Sequence, residues 1–149
     1  MNLFKAIAAG ALIAATPGLA QEQLSIATGG TGGVYYPIGG GLAEIINAHV
    51  EGYSATAEVT GASVENMGLI ATGEADFALV LADTAQQAHQ GSGRFEGQQI
   101  AATRALASIY ANMIQIVVPA GSDIQSLADL RGKRVSVGAP GSGTEVNAQ

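Results

Sequence analysis

Four short segments concentrate the residue types that could bind or react. The richest is Gly29-Gly30-Thr31-Gly32-Gly33-Val34-Tyr35-Tyr36-Pro37. Small residues let backbone N–H groups approach an anion, and a helix start adds partial positive charge. Tyr35 and Tyr36 add hydroxyl donors and ring faces. The segment is not a dinucleotide fingerprint, because Gly30-x-Gly32 lacks a glycine at position 35. It is not a Walker phosphate loop either, since no lysine follows. An anion or amino-acid carboxylate site fits it; a tightly packed glycine turn is the alternative. The second segment is Gly61-Ala62-Ser63-Val64-Glu65-Asn66, where Ser63 can cap a helix, a ligand, or both. The third is Ala82-Asp83-Thr84, where Asp83 could hold a ligand ammonium or serve as a plain helix cap. The fourth is Pro140-Gly141-Ser142-Gly143-Thr144, again glycine, hydroxyls and a helix start. A G-x-S-x-G elbow would need glycine where Pro140 stands, which argues against a hydrolase nucleophile.

Catalytic groupings do not emerge. His49 and His89 stand forty residues apart with no metal-ligand partner at i+3 or i+4, so surface positions are expected. No Ser–His–Asp set or selected carboxylate pair is visible, and no catalytic residue, metal or cofactor is expected. With no cysteine in the chain, disulfides, thiol catalysis and thiolate metal sites are excluded. Charged residues are only 12%, against about a quarter in ordinary domains, while hydrophobic residues are 48%. That much apolar content argues against disorder. A formal net charge of −6 with no basic stripe argues against nucleic acid and against an anionic membrane surface. The basic turn Arg131, Lys133, Arg134 reads as a solvated feature.

The segments must be held by alternating strands and helices. Leu24–Thr28 reads as a strand and Tyr36–Val50 as a helix, with Ile38, Leu42, Ile45, Ile46 and Val50 at helical spacing. Residues 55–60 alternate like a strand. Ser63 is placed to cap a helix ending at Gly73. Phe77–Leu81 reads as a buried strand, and Asp83 or Thr84 as the cap of a helix running to Gly91. Residues 91–99 are loop. Ala105–Tyr110, Met113–Val118 and Val135–Gly138 read as further strands, Ser126–Leu130 as a short helix. A last helix opens at Pro140–Glu145. This order predicts an α/β fold with a parallel, doubly wound sheet, which binds ligands at the carboxyl ends of its strands.

Residues 1–20 read as a secretory signal: Lys5, an apolar run from Ala6 to Ala15, Pro17, then Gly18-Leu19-Ala20 before Gln21. A periplasmic location follows from that leader, with a mature chain that is not membrane-inserted. At the other end a strand–turn–helix unit opens and stops at Gln149, which reads as an N-terminal fragment.

Taken together, the runs GGTGGVYYPIGGGLAEIIN (29–47), TGASVENMGLIATGEADFALV (60–80) and SLADLRGKRVSVGAPGSGTE (126–145) resemble the TAXI family. These are the extracytoplasmic solute receptors of tripartite ATP-independent periplasmic (TRAP) transporters. The resemblance implies a type II periplasmic binding fold, two lobes with parallel doubly wound sheets and a cleft between them. Residues 21–112 would be lobe one, 113–120 the crossing strand, and 121–149 the start of a truncated lobe two. Such receptors run to about twice this length, so a lone lobe would grip a ligand weakly. The implied ligand is a small organic acid or amino acid, glutamate-like, delivered to TRAP membrane permease subunits. The match carries binding roles onto Thr31, Gly32, Gly33, Val34 and Tyr35, onto Ser63 and Asn66, onto Asp83, and onto Ser142, Gly143 and Thr144. The sequence departs from the family pattern at Leu81, Ala82, Gln86, Gln87 and Asn112. Two alternatives remain: a receptor for an ATP-driven transporter or sensor kinase, and a phosphate- or nucleotide-binding enzyme domain.

Overall fold

The computed structural model describes residues 21–149; the leader read in residues 1–20 lies outside the described residues. Three strands and three helices alternate at the start of this span. They are β1 (Glu22–Ala27), α1 (Tyr35–His49), β2 (Tyr53–Glu58), α2 (Ser63–Thr72), β3 (Phe77–Ala78) and α3 (Ala82–Gln90). The strands form one parallel sheet in the order β2-β1-β3. β1 pairs with β2 from Glu22 opposite Tyr53 to Ala27 opposite Glu58, and with β3 at Ile26–Phe77 and Ala27–Ala78. The α/β class and the parallel sheet are therefore as the sequence predicts.

Period-two alternation along β1 explains how the sheet is covered. Ile26, with Leu24 and Phe77, packs on Ala43, Ile46 and Ala55 under α1. A second cluster joins Met67 and Val64 of α2 to Ala85 and Ala88 of α3, with Val80, Phe95 and Ile100. The chain leaves β1 toward β2 on one side and returns to β3 on the other. Helix-linked parallel strands that change direction this way open a crevice at the carboxyl end of the first strand. Residues 28–33 emerge there.

Asn66 fastens this edge. It is fully buried. Its Nδ2 donates to the carbonyls of Thr28 at 2.7 Å, Leu79 at 2.7 Å and Ala27 at 3.3 Å. Its Oδ1 accepts the Thr60 hydroxyl at 2.6 Å. One amide thereby ties the ends of all three strands to α2. Thr28, also fully buried, donates its hydroxyl to the Glu58 carbonyl at 2.6 Å.

Several boundaries differ from the sequence reading. The third strand stops at Ala78 rather than Leu81: the Leu79 N–H still reaches the Ala27 carbonyl at 3.0 Å, but the Leu81 N–H turns to the Ser63 hydroxyl at 3.1 Å. The expected strands at 105–110, 113–118 and 135–138 have no regular secondary structure. A strand exists only where its N–H and C=O groups meet a second edge. Among the described residues no such edge runs beside them, and Leu106, Met113, Ile114 and Val117 stay exposed. The short helix near 126–130 is a 3-10 turn, Leu127–Leu130, closed by a capping box between Ser126 and Asp129. A bond from the Gln125 N–H at 3.0 Å, and then those from Ser126, hold the Asp129 carboxyl below its ordinary range. Another 3-10 turn, Gly93–Phe95, lies in the expected loop, and a five-residue helix α4 (Gly143–Asn147) ends the described elements.

Candidate functional site

The first glycine segment leaves β1 and enters α1 with most of its backbone donors unspent. The Gly33 N–H bonds to the Gly30 carbonyl at 2.9 Å. Among the described residues, the N–H groups of Thr31, Gly32, Val34 and Tyr35 have no protein acceptor. α1 has no side-chain cap and no acidic residue in its first turn. A fifteen-residue helix thus presents bare donors and its positive end outward. Thr31, Gly32, Gly33 and Val34 are exposed, while Tyr35 is half-buried.

Tyr35 turns toward the second segment. Burial pushes its phenol above the ordinary value, the Ser63 hydroxyl pulls it back, and negative charge on Tyr110 and Asp83 pushes in the same sense as burial. Contacts at Gly29 and at Leu81, two residues before Asp83, bring Tyr35, Ser63 and Asp83 to one edge. Gly29 is the contact point between segments: a Cβ there would meet that of Ala62 at 3.4 Å and that of Tyr35 at 3.8 Å.

The second segment, by contrast, spends its donors on protein acceptors. The Gly61 N–H bonds to the Glu65 carboxylate at 2.7 Å, that of Ala62 to the Thr60 hydroxyl at 3.0 Å, and that of Val64 to the Gly141 carbonyl at 3.0 Å. Ser63 does not cap α2. Ala62 is the cap residue, at φ 77° and ψ −146°, a conformation L residues rarely adopt. This places Ser63 inside the first turn, where its hydroxyl can reach Leu81. Asn66 lies beneath the site, its amide engaged by the strand ends, so its geometry is that of a support.

Asp83 does not cap α3 either; Leu81 holds that place. The Asp83 carboxylate accepts the Thr84 N–H at 2.7 Å and remains half-exposed within the first turn. The fourth segment reaches the same edge. Ser142 caps α4 by accepting the Glu145 N–H at 3.1 Å. Gly143 is buried, and a Cβ there would overlap the Leu81 side chain and come within 2.9 Å of the Ser63 hydroxyl. Thr144 is exposed.

Sequence reasoning did not single out Thr28, Thr60, Arg94 or Glu145. One of these had a readable signal: Ser142-x-x-Glu145 has capping-box spacing, and the Glu145 carboxylate accepts the neighbouring Gly141 N–H at 2.8 Å. The others act through backbone groups or contacts distant in sequence.

The assembled edge thus offers unpaired backbone N–H groups, several hydroxyl-bearing side chains and one carboxylate. That set can grip a small molecule carrying a carboxylate and an ammonium. Residues 26–149 match the NMT1-like family.

Proposed function

The chain belongs to the NMT1-like family, which is of the periplasmic binding-protein type, and from that premise we propose that it is the solute receptor of a TRAP transporter. In this reading it captures a small carboxylate or amino acid, glutamate-like, outside the cytoplasm and delivers it to the permease. No helix among the described residues is long and apolar enough to cross a membrane.

The observation that carries the reading is the uncapped start of α1. Thr31, Gly32, Val34 and Tyr35 offer backbone donors with no protein acceptor among the described residues. Four unpaired donors at a helix start favour an anionic ligand group. Asp83 and the Tyr35 phenol would face the ligand's ammonium end. Residues 21–112 would act as lobe one, 113–120 as the crossing, and 121–149 as the start of lobe two, with the ligand held between Tyr35, Ser63 and the Ser142–Thr144 turn. Such a protein binds and releases its ligand unchanged, so it is not an enzyme. A thermal-shift screen of carboxylates tests this: the expected hit raises Tm and is recovered chemically intact. A hit that is converted to product would establish an enzyme instead.

A further inference from the structure

We propose that Arg94 is a positioning residue that, through Glu145, latches the Gly141–Gly143 turn onto the start of α2. The proposal rests on the receptor reading only in taking that edge for the ligand site. Arg94 belongs to none of the four glycine or hydroxyl segments. Its guanidinium lies 3.3 Å from Glu145 Oε1, both side chains being partly exposed. The other oxygen of Glu145 accepts the Gly141 N–H at 2.8 Å. One carboxylate therefore fixes the turn internally and ties it to the 3-10 turn that holds Arg94.

The seated turn covers one side of Ser63. The Gly141 carbonyl takes the Val64 N–H, a first-turn donor of α2. Gly143 lies against Leu81 and Ser63 so closely that any side chain there would collide. A ligand reaching Ser63 from that side must lift the turn. The Arg94–Glu145 pair, being partly exposed, sets a modest threshold that salt can lower.

Amide hydrogen exchange on the full chain, without ligand, tests the latch at Val64. Arg94→Gln is expected to speed Val64 exchange about threefold to fivefold, as a partly exposed ion pair allows. Gly143→Ala, which unseats the turn sterically, is expected to speed it about tenfold or more. The Leu79 amide, bonded to Ala27 within the sheet, is expected to keep its rate in both variants. Unchanged Val64 exchange in Arg94→Gln would overturn the latch whatever Gly143→Ala does, as would Leu79 accelerating in step with Val64. Failure of every carboxylate to bind would instead sink the receptor reading and leave the Val64 result standing.

Discussion

Asn66 Nδ2 donates to the Leu79 carbonyl at 2.7 Å, joining α2 to the residue just past β3. The same amide reaches Thr28 and Ala27 at the end of β1. Replacing it leaves buried backbone carbonyls without donors, and each such loss costs about 1–3 kcal/mol. Asn66→Leu is therefore expected to destabilise the fold by about 3 kcal/mol, read as a lower urea midpoint with an unchanged m-value. A loss below about 1 kcal/mol would show that the strand ends do not depend on this amide.

Gly39 of α1 crosses over Thr28. A Cβ at this position would overlap the Thr28 methyl group. Gly39→Ala is expected to cost about 1–3 kcal/mol by overpacking. Adding Thr28→Ser removes that methyl, so the double variant is expected to lose less than the two single changes summed. Strict additivity in thermal unfolding would contradict the contact.

Ala62 carries the only positive φ among the non-glycine described residues, 77°. Such a conformation costs about 1–3 kcal/mol for an L residue. Glycine removes most of that strain but gives the unfolded chain more freedom, about 0.5–1 kcal/mol. Ala62→Gly is expected to stabilise by about 1 kcal/mol in denaturant titration, the difference between those two effects. A destabilised variant would rule out strain at this cap.

Tyr35 gives a prediction at high pH. Burial raises its phenol above the ordinary value near 10, with Ser63 opposing and Tyr110 and Asp83 adding to the rise. Above that ordinary value the unfolded chain releases a proton that the folded chain retains. Stability is therefore expected to fall as pH climbs through the alkaline range, and to be insensitive to this group below it. Tyr35→Phe removes this share of the slope. The check is urea unfolding at stepped alkaline pH, where identical slopes for both proteins would refute the assignment.

Much of this architecture was legible in the residues. Alternation in β1 and helical spacing in α1 come from local side-chain burial, which a sequence displays directly. The glycine run at 29–33 marks the α1 turn in the sequence itself, whereas Gly39 serves close packing on Thr28, a contact that residue type does not display. Ser63 and Asp83 looked like caps because their types favour caps. The caps fall instead on Ala62 and Leu81, because Ser63 is drawn to the Leu81 backbone from 18 residues away. The apolar runs 105–110, 113–118 and 135–138 read as strands on propensity alone. Strand formation also needs a neighbouring edge, which propensity does not report.

The central claim is that the bare amides opening α1 receive a carboxylate, and an NMR titration of the nitrogen-15-labelled full chain tests it most directly. Sodium L-glutamate is the first probe, followed by simpler mono- and dicarboxylates, with sodium chloride as control. The account predicts saturable shifts at the Thr31, Gly32, Val34 and Tyr35 amides, with the Val50 amide at the far end of α1 static. Shifts confined elsewhere, or the same shifts with chloride alone, would contradict it.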